Sequence, residues 1–142
     1  MPIPKVELYC DGGCYPANPG LLSAWGCVLK YRDATKTLYG ALEEMPTTNI
    51  RSEMRAAIEG LKALKAPCEV TIYSDLQTLV RGGNRDQGRG ANMDLWRLID
   101  DLMVIHTVRF TWIKGHNLHP DQERCHDLVQ QAIREYSERK PS

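Results

Sequence analysis

The sequence predicts an α/β protein with one five-stranded mixed sheet, three antiparallel strands followed by two parallel ones, flanked by helices. Two patterns carry this prediction. Three short alternating segments joined by polar turns fill the first third of the chain, and helical and strand periods alternate after them. Size is the third argument: 142 residues, 42% of them hydrophobic, suffice for one domain spanning 1–142 with its own core.

Val6, Leu8 and Cys10 alternate with Glu7, Tyr9 and Asp11, the pattern of a strand with one buried face. Gly12-Gly13 should break it into the loop Pro16–Gly20. Ala24–Tyr31 and Thr37–Leu42 read as the next two strands of an antiparallel meander. Thr47, Thr48 and Asn49 offer caps for a helix running to about Lys65, whose apolar stripe is Met54, Ala57, Ile58, Leu61 and Leu64. Pro67 stops it.

Glu69–Asp75 is a fourth strand, and a strand reached through a helix is expected to pair in parallel with an earlier one. Gln77–Arg81 reads as a short helix halted by Gly82-Gly83, and Asn84–Asn92 as a polar loop. Asp94–Ile105 is amphipathic, and Val108, Phe110 and Trp112 alternate in a fifth strand. After the turn-rich Gly115–Pro120, a final helix carries Cys125, Leu128, Val129, Ala132, Ile133 and Tyr136 inward, with a frayed tail over Glu138–Ser142.

Eighteen acidic residues balance eighteen basic ones, so long-range attraction to phosphate is absent and any polyanion must be held by local groups or ions. No apolar run reaches membrane-span length, and the start, MPIPKVELY, lacks a signal core. Five scattered cysteines argue against a disulfide framework and for a reducing, cytoplasmic setting. A lone domain of this size is expected to be a monomer with no obligate protein partner and no membrane.

Asp11 and Asp75 close two strands expected to be parallel neighbours, and Glu53 lies early on the first helix beside Ala56, Ala57 and Gly60. The carboxyl ends of such strands are where open α/β sheets bind ligands. Three carboxylates within about 4 Å repel by roughly 1–4 kcal/mol per pair, so they need protons, separation or cations. An all-oxygen set suits Mg²⁺ or Mn²⁺, and two such ions can clamp a phosphoryl displacement. Taken singly, each acid is equally a solvated surface charge, and Asp11 a turn-former.

The segments CDGGCYPANPG, TTNIRSEMRAAIEGLKAL, YSDLQTLV, MDLW and WIKGHNLHPDQERCHDL resemble, in order and over nearly the whole chain, type 1 ribonuclease H (the ribonuclease HI family). That resemblance implies the ribonuclease H fold and an endonuclease that hydrolyses the RNA strand of RNA/DNA hybrids with two divalent ions, leaving 3′-hydroxyl and 5′-phosphate ends. Asp11, Glu53 and Asp75 match its metal-binding carboxylates, and His116 its mobile-loop proton carrier. An ordinary imidazole pKa of about 6.5 suits that task. Gly12, Gly13, Cys14, Asn18, Thr48, Asn49 and Gln77 fall where the family grips the minor groove.

The match departs at the fourth acid. Counted without a gap from Lys114, that position is His126, with Asp127 one residue later and about 100° away on a helix. A neutral imidazole can hold a cation but favours borderline metals over Mg²⁺. The expectation is an enzyme that prefers Mn²⁺ and loses activity as His126 gains a proton in mild acid. Ile50 and Leu76 replace family polar residues, and the first loop carries an extra residue before Asn18. Gly82–Asn92 is too short for the basic protruding helix of many members, which predicts weaker, salt-sensitive hybrid binding. Two rivals follow: a catalytically weakened hybrid-binding module, and a zinc site from His116, His119, Cys125 and His126, whose spacing fits no common zinc pattern.

Overall fold

The computed structural model describes residues 3–114 and 119–139. Three strands, β1 (Lys5–Tyr15), β2 (Gly20–Tyr31) and β3 (Ala34–Thr47), form an antiparallel meander. Helix α1 (Asn49–Lys62) crosses to β4 (Glu69–Ser74), which pairs in parallel with β1. Helices α2 (Gln77–Gly83) and α3 (Met93–Ile105) lead to β5 (Thr107–Trp112), parallel to β4, and α4 (Pro120–Arg139) closes the described chain. The sheet order β3-β2-β1-β4-β5 is the predicted mixed sheet, three strands antiparallel and two parallel.

Strand alternation divides the core. Val6, Leu8 and Cys10 pack with α1, α2 and α3 through Met54, Leu61, Leu79, Leu95 and Ile99. Tyr9 and Val28 face the other way, against Cys125 of α4. Asp11 follows Cys10 and so falls on the α4 side, while α1 lies behind the same strand. Gly26 lets α4 approach: a Cβ there would stand 2.6 Å from the Cys125 carbonyl oxygen and 2.7 Å from Leu128 Cβ.

Several boundaries differ from the sequence reading. β1 does not break at Gly12-Gly13 but stays paired with β2 as far as Tyr15–Leu22, because the hairpin ladder satisfies its backbone. What ends near Asp11 is the pairing with β4, whose last partners are Tyr9 and Tyr73. β2 and β3 are correspondingly longer than expected, and α1 ends at Lys62 rather than near Lys65. Gly82 and Gly83 lie inside α2 instead of stopping it; a Cβ on either would strike Trp96 or Phe110. α4 remains helical through Glu138 and Arg139. No helix among the described residues is long and apolar enough to cross a membrane.

Candidate active site

Three elements bring the three acids together. Asp11 sits mid-strand in β1 where β4 has stopped pairing, and Asp75 is the first residue after β4. Glu53 reaches them because Gly12 removes a side chain from the contact between β1 and α1: a Cβ there would collide with the Ser52–Glu53 peptide. Thr48 caps α1 by accepting from the Arg51 N–H at 3.3 Å, which starts the helix at the turn that carries Glu53. The result is a set of ligand oxygens on Asp11, Glu53 and Asp75 all within 4.8 Å of one another.

Glu53 is only 4% exposed. Burial, then the Asp11 charge, a hydrogen bond with Asp11 and the Asp75 charge, hold its carboxyl well above the usual range. Ser74 Oγ donates to Glu53 Oε2 at 3.3 Å and accepts from the Leu76 N–H at 3.1 Å, so the β4 terminus supports the same carboxyl. Trp112 Nε1 donates to the Asp75 carbonyl at 3.2 Å, tying that residue to β5. The crowding of one buried and two partly buried acids and the all-oxygen donor set fit a hard divalent cation, which would offset the repulsion that helps to raise Glu53.

The α4 side of this cavity of about 250 Å³ is lined by Gln122, Glu123 and His126, opposite Asp11 and Asp75. His126 places Nδ1 3.3 Å from Asp11 Oδ2. It stands beside the carboxylates rather than within the converging set. Asp127 is exposed and does not line the cavity, as its helical phase predicts. His116 lies outside the described residues. His119 lies tilted against Tyr9, ring centres 4.9 Å apart, and Cys125 is fully buried in the core, so neither stands in the converging acid set.

The residues expected to touch substrate divide in two. Cys14 N–H donates to Asn49 Oδ1 at 3.0 Å, and Asn49 N–H donates to Asn18 Oδ1 at 3.2 Å. Backbone N–H groups only donate, so both amide oxygens are committed inward. The NH₂ groups of these exposed asparagines have no partner among the described residues and are available to acceptors. Gln77, also exposed, opens α2 two residues beyond Asp75. Between α2 and α3, Arg85 and Arg89 are both paired with Asp100, so the short loop offers little free positive charge.

Gln122 is the site residue the sequence reading missed. A glutamine on a polar helix face gives no signal alone; the four-residue spacing to His126 could have found it.

A family model described as RNase H matches residues 4–134. The chain belongs to the ribonuclease H family. The ribonuclease H of Geotalea uraniireducens (strain Rf4) is 43% identical over 150 residues, covering 96% of this chain and 99% of its own length. The ribonuclease H of Marinobacter nauticus (strain ATCC 700491 / DSM 11845 / VT8) is 41% identical over 144 residues, covering 92% and 95%. These matches place the chain among the ribonuclease H enzymes of type 1, which are nucleases and hydrolases. The fold agrees with LC11-RNase H1, solved in complex with RNA/DNA hybrid: TM-score 0.80, 21% identity, 93% of this chain and 99% of that one.

Proposed function

We propose that this ribonuclease H is a single-domain, monomeric endonuclease that hydrolyses the RNA strand of RNA/DNA hybrids by a two-metal-ion route, leaving 3′-hydroxyl and 5′-phosphate ends. The observation that carries the proposal is the convergence of Asp11, Glu53 and Asp75 at one end of the sheet. Those three carboxylates would hold Mg²⁺ or Mn²⁺, with His126 at the edge of the set and Mn²⁺ preferred. Such ions, when bound, would supply charge neutralisation at the scissile phosphate and a lowered pKa for attacking water.

The chain's own residues do the rest. Asp11, opposite Gly26 in the β1–β2 ladder that runs on to Tyr15, gives the site a fixed origin, and the Ser74 hydroxyl orients Glu53. His116 carries a proton to the leaving oxygen. Gly12, Gly13, Cys14, Asn18, Thr48, Asn49 and Gln77 hold the minor groove, where contact with 2′-hydroxyls tells RNA from DNA.

The test is a cleavage assay on a hybrid labelled in its RNA strand, run with Mg²⁺ and Mn²⁺ in parallel, beside RNA/RNA and DNA/DNA duplexes. The expected result is scission of the hybrid's RNA alone. Because His126 stands where an acid was expected, binding of hybrid without scission by either ion would favour the weakened binding module instead.

A further inference from the structure

The first turn of α4 carries a buried amide that the proposed reaction does not use. Gln122 is 1% exposed and lines the same cavity as Asp11, Asp75 and His126. Its Nε2 donates to the Cys10 carbonyl at 2.7 Å, one residue before Asp11. A carbonyl can only accept, so this bond fixes which end of the amide is nitrogen. The other end, Oε1, is an acceptor, buried and without a donor among the described residues.

Buried acceptors are normally satisfied, and an exception calls for a cause. The other residues of the cavity do not supply a donor. Asp11, Asp75 and Glu123 are acceptors when ionised, and the His126 Nδ1 lies against Asp11. A cavity so rich in acceptors suits a cation or a water polarised by one. Gln122 and His126 are four residues apart on α4, so both stand on the face turned to the sheet end.

We propose that Gln122 is a positioning residue for the ion site: its amide ties α4 to β1 beside Asp11, and its Oε1 accepts a hydrogen bond from water on the bound cation. This rests on the nuclease reading above and deepens it, because it assigns a hard oxygen acceptor to the one wall where His126 provides a nitrogen. Mg²⁺ and Mn²⁺ are the occupants it fits, since Mg²⁺ keeps several of its waters and such waters need ordered acceptors.

Calorimetric titration with Mn²⁺ alone, without nucleic acid, tests it alongside thermal melting and hybrid cleavage. Gln122→Met removes both ends of the amide at similar volume and should weaken Mn²⁺ binding by about tenfold or more. Gln122→Glu keeps an acceptor oxygen but loses the donor to Cys10. It should bind Mn²⁺ at least as tightly as the parent while melting lower. Unchanged Mn²⁺ affinity in Gln122→Met overturns the proposal and leaves the nuclease reading intact. Should that variant not fold, Gln122→Glu decides alone, and weaker Mn²⁺ binding than the parent overturns it. A parent chain that neither binds Mn²⁺ nor cuts hybrid overturns the nuclease reading and this proposal together.

Discussion

His126 Nδ1 lies 3.3 Å from Asp11 Oδ2, so a ring nitrogen faces the central carboxylate from α4. Compared with a carboxylate, imidazole removes a negative charge and softens the donor set. The parent should therefore cut hybrid faster with Mn²⁺ than with Mg²⁺. His126→Asp should shift that ratio toward Mg²⁺ by about tenfold. Initial rates with each ion, parent beside variant, check this; equal rates with both ions in the parent, or a ratio unmoved by the substitution, would sink it.

Glu53 makes a pH-dependent prediction for the metal-free protein. Its carboxyl is held above the ordinary carboxylate value of 4.5 by burial first and by Asp11 and Asp75 next. A raised carboxyl stabilises the fold below its unfolded pKa and gives that stability up as pH rises through the folded one. Glu53→Gln should thus melt higher than the parent above neutral pH, with the gap closing below about pH 4.5. The same substitution should abolish cleavage and the rise in melting temperature that Mg²⁺ or Mn²⁺ gives the parent. Melting curves with and without ion, over that pH range, are the measurement.

Gly12→Ala should be far more damaging than its size suggests. The added methyl would fall on the Ser52–Glu53 peptide, backbone that cannot rotate aside. Relief requires α1 to move away from β1, at a cost of about 1–3 kcal/mol. That movement separates Glu53 from Asp11. Denaturant unfolding should show the loss of stability, and cleavage should fall further than stability alone explains. A variant with parental activity would exclude this account of the contact.

His106 provides an acid limit remote from the site. The Cys68 N–H donates to its Nδ1 at 3.1 Å, which requires a neutral ring, and burial lowers its pKa. A lowered histidine stabilises the fold above its ordinary value of 6.5 and loses that contribution as pH falls through the folded pKa. Melting temperature should therefore drop in acid below that range. His106→Leu should lose about 1–3 kcal/mol at pH 8, from the stranded Cys68 N–H, and show a flatter acid limb.

Much of this was legible in the chain. Alternation in Val6–Asp11 and Glu69–Asp75, with the 3.6-residue period of α1 between them, gave two strands joined by a crossover, and their parallel pairing brings Asp11 and Asp75 to one end of the sheet. Glycine misled twice. Gly12-Gly13 resembles a turn but lies in a paired strand, and Gly82-Gly83 resembles a helix stop but admits Trp96 and Phe110 against α2. Local patterns cannot distinguish a glycine needed for backbone freedom from one needed for space, because the neighbour is distant in sequence. Gln122 was hidden for the same reason: its partner, the Cys10 carbonyl, lies at the other end of the chain.

The three acids come from a hairpin strand, a crossover helix and the end of a parallel strand. No pair of them can meet until loops closing distant parts of the chain have formed, and such closures are the slow events of folding. A collapsed intermediate with only the hairpin in place would hold Asp11 without its companions. The carboxylate cluster that the proposed reaction needs is therefore completed late, and a half-assembled chain lacks it.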